Sequence, residues 1–343
     1  MSHRSNLLTI LLAGATLAPA FLFGCANDAS SRDAAAPTTL QSGAESEPPA
    51  ADASKSPEAA KTGASSSGGG PSRRGRARVP VYRTIHEASV PVQEGAALVV
   101  NGHNGAVVVE AQDRQDIFVE ATIFGLSVER SAATDISVEQ SGSVVRIGIT
   151  WPESGPQSIE SGAIRVLTPL HTRGVEAHTT AGPVVLTGVG GDALVRTSEG
   201  DVQITDQRGA VDAETTRARI TIASPGGAVA ARTEGGVISI SAAPSRVVAL
   251  TSNAGVDVRL NDESRGPVRI ETSNAVVLLT VGDAFVGTLT AETTRSPIDL
   301  GPGIDPAKVE FGGASKARFD FGGGEPSMIK TVRGGIRVSR GSN

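Results

Sequence analysis

The sequence predicts an all-β fold: a single-domain parallel β-solenoid with about 18–21 residues per rung, after a targeting segment and a disordered tether. Three observations predict this arrangement. A phrase with a central threonine recurs at a nearly fixed spacing, apolar and polar residues alternate around it, and residues 1–78 differ in composition from the rest. The 343 residues include one Trp, one Tyr and eight Phe. A core must therefore be assembled from Val, Ile, Leu and Ala, which suits layers of strands.

Residues 1–24 form a predicted signal peptide, in which an apolar run extends from Leu7 to Phe23. The run ends beside Cys25, the one cysteine of the chain. This arrangement resembles the bacterial lipoprotein signal, which implies lipidation at Cys25 and a membrane partner through that anchor. An ordinary secretory peptide or a membrane helix is the alternative. Ala26 stands where an Asp would indicate inner-membrane retention. We therefore expect a lipid-anchored protein of the cell envelope, with the outer membrane or cell surface favoured over the inner membrane.

Residues 25–78 are predicted to be a disordered tether anchored at Cys25. They are rich in Ala, Ser, Pro, Gly, Glu and Lys, and such a segment cannot bury enough apolar surface to offset the entropy of ordering it. Four arginines between positions 73 and 78 either contact anionic headgroups or surface polymer, or form a solvated boundary. The net charge of −5 and the lack of basic residues interleaved with aromatic ones argue against nucleic-acid binding.

A threonine marks each repeat of the predicted solenoid domain, which spans 79–343 and repeats most clearly over 175–300. Apolar residues occupy the positions four and two before each threonine, and five and seven after it. The positions between them are mostly polar, and this period-2 alternation is typical of strands with one buried face. The steps between threonines are 18, 18, 18, 18, 21 and 21 residues. The threonines are Thr179, Thr197, Thr215, Thr233, Thr251, Thr272 and Thr293.

Each repeat is predicted to contain a strand, a tight turn, a second strand and a second turn. Glycines such as Gly200 and Gly236 occupy the first turn, where a sharp reversal is needed. One repeat cannot fold by itself, because its four apolar side chains do not offset the entropy lost on ordering it. Stacking would pair each repeat with the next at about 4.8 Å and join the apolar positions into one core. A fixed period near this length with a strand pattern predicts a parallel β-solenoid.

The pattern extends more weakly toward both ends of the domain. It breaks at about 150–163, where we predict an inserted loop. Residues 112–150 fit either further solenoid repeats or antiparallel hairpins. The further positions that fit as repeat origins are Gly102, Ala121, Gln140 and Thr331, and Gly313 with one residue inserted.

Three segments carry a resemblance to a known family: NGHNGAVVVEAQ, RTSEGDVQITDQRGAV and ETSNAVVLLTV. They resemble the bacterial adhesin-like family of β-strand-repeat domains of unknown function, which is related to autotransporter adhesin head domains. The resemblance covers residues 95–340. It implies a location in the envelope or at the surface and a non-enzymatic role, and it offers no catalytic residues.

One pair of carboxylates is the strongest candidate for chemistry. Glu271 and Glu292 precede successive threonines, so we expect them on neighbouring rungs, about 5 Å apart. That is the carboxylate separation of retaining glycosidases, and such a pair could instead hold a cation. Both are expected to be exposed, nothing obvious raises either pKa, and Arg269 lies nearby. We therefore predict no catalytic, cofactor or metal site, with this pair as the weak metal candidate.

The remaining polar columns are predicted to be structural. The seven threonines, and Asn253 with Asn274, are expected to form internal hydrogen-bonded ladders at the turns. The residues before the first four threonines are expected to form a solvated ion ladder, and the histidines show no metal-ligand spacing. The ladder residues are His178, Arg196, Glu214 and Arg232.

The sequence favours a non-catalytic envelope or surface lipoprotein that presents a β-solenoid for adhesion, binding or scaffolding. Its expected partner, besides the membrane, is an envelope protein or a surface polysaccharide. A polysaccharide-acting β-helix enzyme, a lyase or a glycoside hydrolase, is the first alternative. An envelope-stress accessory protein that acts through a partner is the second.

Overall fold

The structure is a computed structural model that describes residues 82–341 of the chain. The predicted signal peptide, the predicted tether and Cys25 lie outside the described residues. Residues 82–341 form two β-sheets of 12 and 13 strands, in which most neighbouring strands are parallel. They also contain one short α-helix and one 3-10 helix. The all-β prediction is therefore confirmed.

The N-terminal elements precede the clear repeats. Residues 151–160 have no regular secondary structure and connect the sixth strand to the seventh. The elements are β1 (Tyr82–Pro91), β2 (Ala97–Asn101), β3 (Val107–Gln112), β4 (Asp116–Gly125), α1 (Val128–Ala133), β5 (Asp135–Ser141), β6 (Val144–Thr150) and β7 (Ser161–Pro169).

From residue 174 onward the chain alternates between the two sheets, and we name each strand–turn–strand repeat by its threonine. The strands in the 13-stranded sheet are β8 (Gly174–Thr179), β10 (Asp192–Thr197), β12 (Val211–Thr215), β14 (Val229–Thr233), β16 (Val247–Thr251), β18 (Val268–Glu271) and β20 (Thr288–Glu292). The strands in the 12-stranded sheet are β9 (Val184–Thr187), β11 (Val202–Thr205), β13 (Ile220–Ala223), β15 (Ile238–Ala243), β17 (Val256–Leu260), β19 (Val277–Val281) and β21 (Ile298–Leu300).

The C-terminal elements follow the Thr293 repeat. They are a 3-10 helix (Pro306–Lys308), β22 (Val309–Phe311), β23 (Lys316–Asp320), β24 (Ser327–Lys330) and β25 (Ile336–Arg340). The strand order of the 12-stranded sheet is β1-β4-β7-β3-β9-β11-β13-β15-β17-β19-β25-β21. That of the 13-stranded sheet is β22-β23-β20-β24-β18-β16-β14-β12-β10-β8-β2-β6-β5.

Neighbouring repeats pair in parallel with equivalent side chains side by side. In the 12-stranded sheet Val202 lies opposite Val184 on one side and Ile220 on the other. In the other sheet Thr197 lies between Thr179 and Thr215. The side chains of Val202 and Ile220 are 1% and 0% exposed, respectively. The apolar columns read from the sequence thus form one core shared by both sheets.

The N-terminal region settles the question left open for residues 112–150. Strand β4 pairs antiparallel with β1 and β7, and β5 pairs antiparallel with β6. Ala121 in β4 and Gln140 in β5 are therefore not repeat origins, and that prediction is wrong. Antiparallel strands show the same period-2 alternation as parallel ones, so the pattern fits both. Gly102 does occupy the repeat position, because its N–H donates to the carbonyl of His178 at 2.7 Å.

The C-terminal region departs from the predicted order of repeats. Strand β24 lies between β18 and β20, and β25 lies between β19 and β21. The Thr331 repeat is therefore inserted between the Thr272 and Thr293 repeats, which the sequence placed side by side. The apolar columns align equally well whichever of these repeats lies next to the Thr272 repeat, so the sequence pattern could not identify its neighbour. Gly313 lies in the turn between the antiparallel strands β22 and β23 and is not a repeat origin.

A buried ion pair fastens the loop at 151–160 to α1. The Arg130 guanidinium donates to both oxygens of Glu160 at 2.7 Å, and Glu160 is 1% exposed. The N–H groups of Gln157 and Leu126 also donate to this carboxylate, at 2.9 and 3.4 Å. The hydrogen bonds from Arg130 are the main reason that the pKa of Glu160 falls from 4.5 to about 2. The hydrogen bonds that converge on this buried carboxylate therefore hold a loop that has no strand pairing.

Replacing Ile220 with Asp is expected to lower the free energy of unfolding by about 4 kcal/mol or more, because it places an unpaired charge in the shared core. Thr221, its neighbour in β13, is half-buried and on the opposite face. We expect Thr221→Asp to cost no more than about 1 kcal/mol. Urea unfolding followed by far-ultraviolet circular dichroism measures both. Equal stability of the two variants would contradict the inward orientation of Ile220.

The Glu160 ion pair is expected to lose its contribution in acid. A carboxyl whose pKa is lower in the folded state stabilises the fold above its unfolded pKa, and that stabilisation disappears as the pH falls from about 4.5 to about 2. Glu160→Gln should cost about 3 kcal/mol at neutral pH, because the charge of Arg130 loses its partner. The difference between wild type and variant should shrink toward pH 2, as measured by urea unfolding at several pH values. The exposed Glu153 of the same loop supplies the control, Glu153→Gln, which should show no such convergence.

Candidate functional site: a groove along the threonine ladder

The threonine ladder consists of buried hydroxyl groups that link each repeat to its neighbour. Each hydroxyl donates to a main-chain carbonyl in the adjacent repeat, always that of the residue three positions after the equivalent origin. The bonds are Thr179 to Gly105, Thr197 to Gly182, Thr215 to Gly200, Thr233 to Ala218, Thr251 to Gly236, Thr272 to Ala254, Thr331 to Ala275 and Thr293 to Gly334, at 3.0 to 3.4 Å.

The same hydroxyl also accepts a hydrogen bond within its own repeat. The N–H groups of Gly200, Gly236 and Gly334 donate to the threonine three residues earlier, at 3.1 to 3.2 Å. A hydroxyl can donate and accept at once, so it closes its own turn while it binds the next one. The side chain of Asn274 adds a parallel link, because it donates to Asn253 Oδ1 at 2.8 Å.

Glycine is required where these turns stack most closely. A Cβ at Gly236 would lie 1.6 Å from the carbonyl oxygen of Ala218, and the same distance applies at Gly200 and Gly334. Atoms cannot approach so closely, so only a residue without a side chain allows the turn to sit at hydrogen-bonding distance from the next. The tight turn brings the side chains before and after each threonine to either side of a concave surface.

These stacked turns form a groove along the outer edge of the ladder. One section of about 420 Å³ extends over the repeats from Thr215 to Thr331, and a second of about 390 Å³ extends from Thr179 to Thr215. The two sections share Glu214 and Thr216 in their linings. The groove therefore runs continuously across seven repeats, a length of about 29 Å at a strand spacing of about 4.8 Å.

One side of the groove is formed by the residues that follow each threonine in the sequence, and most of them carry hydroxyl groups. Position +1 of the ladder, immediately after each threonine, is Ser or Thr in six of the eight threonine repeats, including Ser198, Thr216, Ser252 and Ser273. We call this side the hydroxyl wall. Sequence reasoning missed it, although the recurrence of Ser and Thr at this position was a visible signal. Glu234, also in this wall, forms no ion pair among residues 82–341.

The wall before the threonines carries charges of alternating sign, and we call it the charged wall. Several of its charges are paired on the surface: Arg196 with Glu214 at 3.6 Å, and Arg232 with Asp212 at 2.7 Å. Such exposed pairs contribute at most about 1 kcal/mol each. In spatial order the wall reads His178, Arg196, Glu214, Arg232, Leu250, Glu271 and Lys330.

The structure does not bring Glu271 and Glu292 onto neighbouring rungs, so that prediction is wrong. Lys330 in β24 lies opposite both of them, which places the two carboxylates two strand spacings apart, about 10 Å. Glu271 pairs with Arg269 at 2.7 Å, and Glu292 pairs with Lys316 at 2.7 Å. The hydrogen bond from Lys316 lowers the pKa of Glu292, whereas a general acid for glycoside cleavage needs a raised one.

The described residues offer neither a metal-binding cluster nor a membrane-spanning helix. Within residues 82–341 no group of three His, Cys, Asp or Glu side chains is close enough to hold a metal ion. In the same range no helix combines the length and the apolar character needed to cross a bilayer.

Comparison with known proteins adds little. No family model and no curated protein matches the chain. Among solved structures, a candidate cell adhesion protein from Clostridium sporogenes matches with 10% identity and a TM-score of 0.22, over 75% of this chain and 100% of that one. A candidate adhesin from Bacteroides fragilis matches with 11% identity and a TM-score of 0.26, over 75% of this chain and 97% of that one.

A candidate lipid binding protein from Parabacteroides distasonis matches with 10% identity and a TM-score of 0.25, over 75% of this chain and 96% of that one. Scores of this size do not establish a common fold, and nothing about the role of this chain follows from the three likenesses.

Gly236→Ala is expected to destabilise the protein strongly, by about 3 kcal/mol or more, because the added Cβ would force apart two hydrogen-bonded turns. The adjacent Gly235 supplies a matched control, since a Cβ there meets nothing closer than 3.9 Å. Gly235→Ala should change the stability by about 1 kcal/mol at most. Thermal unfolding of both variants measures the effect, and equal melting temperatures would refute the close stacking of the turns.

Proposed function

We propose that this protein is a non-catalytic β-solenoid lipoprotein of the bacterial envelope whose groove binds an extended, uncharged, hydroxyl-rich polymer, a surface polysaccharide. The observation that carries this proposal is the continuous groove with one hydroxyl wall and one charged wall of alternating sign. The envelope location comes from the sequence, and the ligand class comes from the groove.

The solenoid assignment rests on the regular pairing of the repeats. Each repeat from Thr179 to Thr251 contributes one strand to each sheet and pairs in parallel with the repeat 18 residues away. A chain that alternates between two sheets while advancing one strand spacing per repeat winds as a solenoid. Such stacks suit extended ligands, because equivalent side chains recur along one line.

The alternating charges favour an uncharged ligand. A polyanion or polycation lying in the groove would meet side chains of its own sign between those of the opposite sign, so its net electrostatic attraction would be small. A hydroxyl-rich polymer can instead donate to the carboxylates of Glu214, Glu234 and Glu271, and can accept from the cations of Arg232 and Lys330. The serine and threonine hydroxyls of the opposite wall can serve in either role.

Affinity in this groove should depend on the length of the polymer. No Phe, Tyr or Trp side chain lines either section, so each sugar unit would be held by exposed hydrogen bonds, which are individually weak. Binding by many equivalent rungs compensates for this weakness when one polymer spans several of them. This behaviour suits attachment or scaffolding better than turnover, since a catalytic site concentrates its binding at one bond.

The anchor completes the proposal. A lipid on Cys25 would hold the protein to a membrane, and the segment 25–78 would separate the solenoid from that surface. A polysaccharide-binding groove at the end of such a tether could link the membrane to a surface layer, at the outer membrane or the cell surface.

Neutral polysaccharides, such as dextran or mannan, are expected to bind more tightly as their chain length increases. Binding should change by no more than about twofold between about 50 and 500 mM NaCl, because no net charge is neutralised.

Ser252→Trp fills the groove at its exposed hydroxyl wall and should weaken binding at least about tenfold by steric exclusion. The control Gln203→Trp changes an exposed residue of β11, on the other sheet. Isothermal titration with neutral and anionic polymers measures the affinities. Exclusive binding of an anionic polymer, or equal binding by both Trp variants, would overturn the proposed ligand class.

Cys25→Ser is expected to move the protein from the membrane fraction to the soluble fraction, because the lipid could no longer attach. Fractionation of cells that express wild type and variant measures the shift. Membrane association that survives the substitution would rule out the lipid anchor and leave the groove proposal intact.

A further inference from the structure

Within residues 82–341 four strands form the edges of the two sheets, and β1 is the longest of them. β1 has ten residues, β5 at the other N-terminal edge has seven, and β21 and β22 at the C-terminal edges have three each. β1 pairs with β4 through all ten residues without a bulge, and no further main-chain pairing within this range reaches it. Short strands and bulges protect sheet edges from pairing with another chain, and β1 has neither.

β1 also projects beyond the neighbouring sheet. Past the Gly102 repeat, which contributes β2 and β3, the 12-stranded sheet continues through β7, β4 and β1, whereas the 13-stranded sheet continues through β6 and β5. The sheet that contains β1 is therefore longer at this end by one strand spacing, about 4.8 Å. The inner face of β1 is half-buried and held by its own chain, since His86 Nδ1 lies 3.0 Å from Asp135 Oδ1 of β5. These contacts leave its outer edge unpaired among the described strands.

The exposed face of β1 carries a cation, an apolar residue and an anion at alternate positions. They are Arg83, Ile85 and Glu87, and Ile85 is 49% exposed. Neither Arg83 nor Glu87 forms an ion pair within residues 82–341. On the side of β4, Glu87 lies opposite Glu120, and like charges directly opposite each other in a sheet are destabilising. A cation on the unpaired side of β1 would offset this repulsion.

We propose that the outer edge of β1 pairs with the same edge of a second copy of this chain, with the two strands antiparallel and centred on Ile85. In this register Arg83 of each copy lies opposite Glu87 of the other. The two Ile85 side chains lie side by side on the exposed face and cover each other. Each Glu87 gains a cation on the side away from Glu120. Because the arrangement has twofold symmetry, the favourable charge pair occurs twice.

The side chains of the exposed face select this register over the adjacent ones. Centring the pair on His86 would place Ile85 opposite Glu87. Centring it on Glu87 would place two carboxylates directly opposite each other, and centring it on Thr84 would place Arg83 opposite Ile85. The register centred on Ile85 matches opposite charges with each other and apolar side chains with each other, which are the cross-strand pairs that stabilise a sheet.

Pairing through β1 would join the two 12-stranded sheets into one continuous sheet and bring two grooves into one assembly. A polymer long enough to reach both grooves would bind with higher avidity than one that reaches a single groove. The pairing does not depend on the proposed ligand, because no residue of β1 lines either section of the groove.

Charge reversal tests the pairing and its register together. In the full-length chain with Cys25→Ser, we expect sedimentation equilibrium to show wild-type dimers at concentrations up to about 0.5 mM. Arg83→Glu alone, or Glu87→Arg alone, puts like charges opposite each other twice, so each should weaken the dimer at least about tenfold. Mixing the two single variants puts opposite charges together again, so a heterodimer should form with about the wild-type affinity. This rescue also shows that both variants are folded.

Glu199, which is exposed and lies far along the chain from β1, supplies the control. Glu199→Arg changes the net charge as much as Glu87→Arg does and should leave the dimer unchanged. Three results would overturn the proposal: a wild type that stays monomeric over the whole concentration range, a dimer that neither single variant weakens, or a mixture of the two variants that stays monomeric.

Cysteine trapping locates the contact. In the Cys25→Ser background, Ile85→Cys places two cysteines directly opposite each other with their Cβ atoms about 5 Å apart, close enough to bond after a small shift. Ser89 is on the same exposed face of β1, but its two copies would be separated by about eight residues, or about 27 Å. We expect Ile85→Cys to yield at least about tenfold more disulfide-linked dimer on non-reducing gels than Ser89→Cys. Equal yields from the two variants would show that the pairing centred on Ile85 does not form.

Discussion

The structure depends on stacking each repeat directly upon its neighbours at the spacing of paired strands. No repeat buries its apolar side chains by itself, because each contributes only one layer of the shared core. The backbone hydrogen bonds of both sheets run between repeats, and each threonine hydroxyl donates to the neighbouring repeat. Stability is therefore a property of interfaces between repeats, and any change that widens one interface weakens both repeats that meet there.

The same spacing produces the groove. Turns that stack at hydrogen-bonding distance bring equivalent side chains into lines, so a residue type that recurs in the sequence becomes a continuous surface. Serine and threonine at the position after the ladder become a hydroxyl wall, and residues of opposite charge before it become a wall of alternating sign. Recognition in such a groove is distributed over many rungs, which favours polymers over small molecules.

The two ends of the stack are built differently from its middle. At the N-terminal end, antiparallel strands extend both sheets, and the buried contact between Arg130 and Glu160 holds the connecting loop. At the C-terminal end, the antiparallel strand β23 covers β20 in one sheet, while the chain returns to insert the Thr331 repeat. Terminal strands of a parallel stack expose unpaired backbone groups. Strand direction changes at both ends of the 13-stranded sheet and at the N-terminal end of the 12-stranded sheet, whereas β21 ends the 12-stranded sheet parallel to β25.

The sequence by itself determined the repeat, its inward columns and the threonine origins, because these are local patterns that recur in each copy. It did not determine which repeats are neighbours. Period-2 alternation is the same for parallel and antiparallel strands, so the pattern could not distinguish Ala121 in an antiparallel strand from a repeat origin. The apolar columns also align whichever order the last repeats take in the stack, so only the tertiary structure placed Lys330 between Glu271 and Glu292. The Arg130–Glu160 contact joins residues 30 positions apart with no periodic signal. Neighbour choice depends on charge and pairing across the finished stack, and a linear pattern does not contain that information.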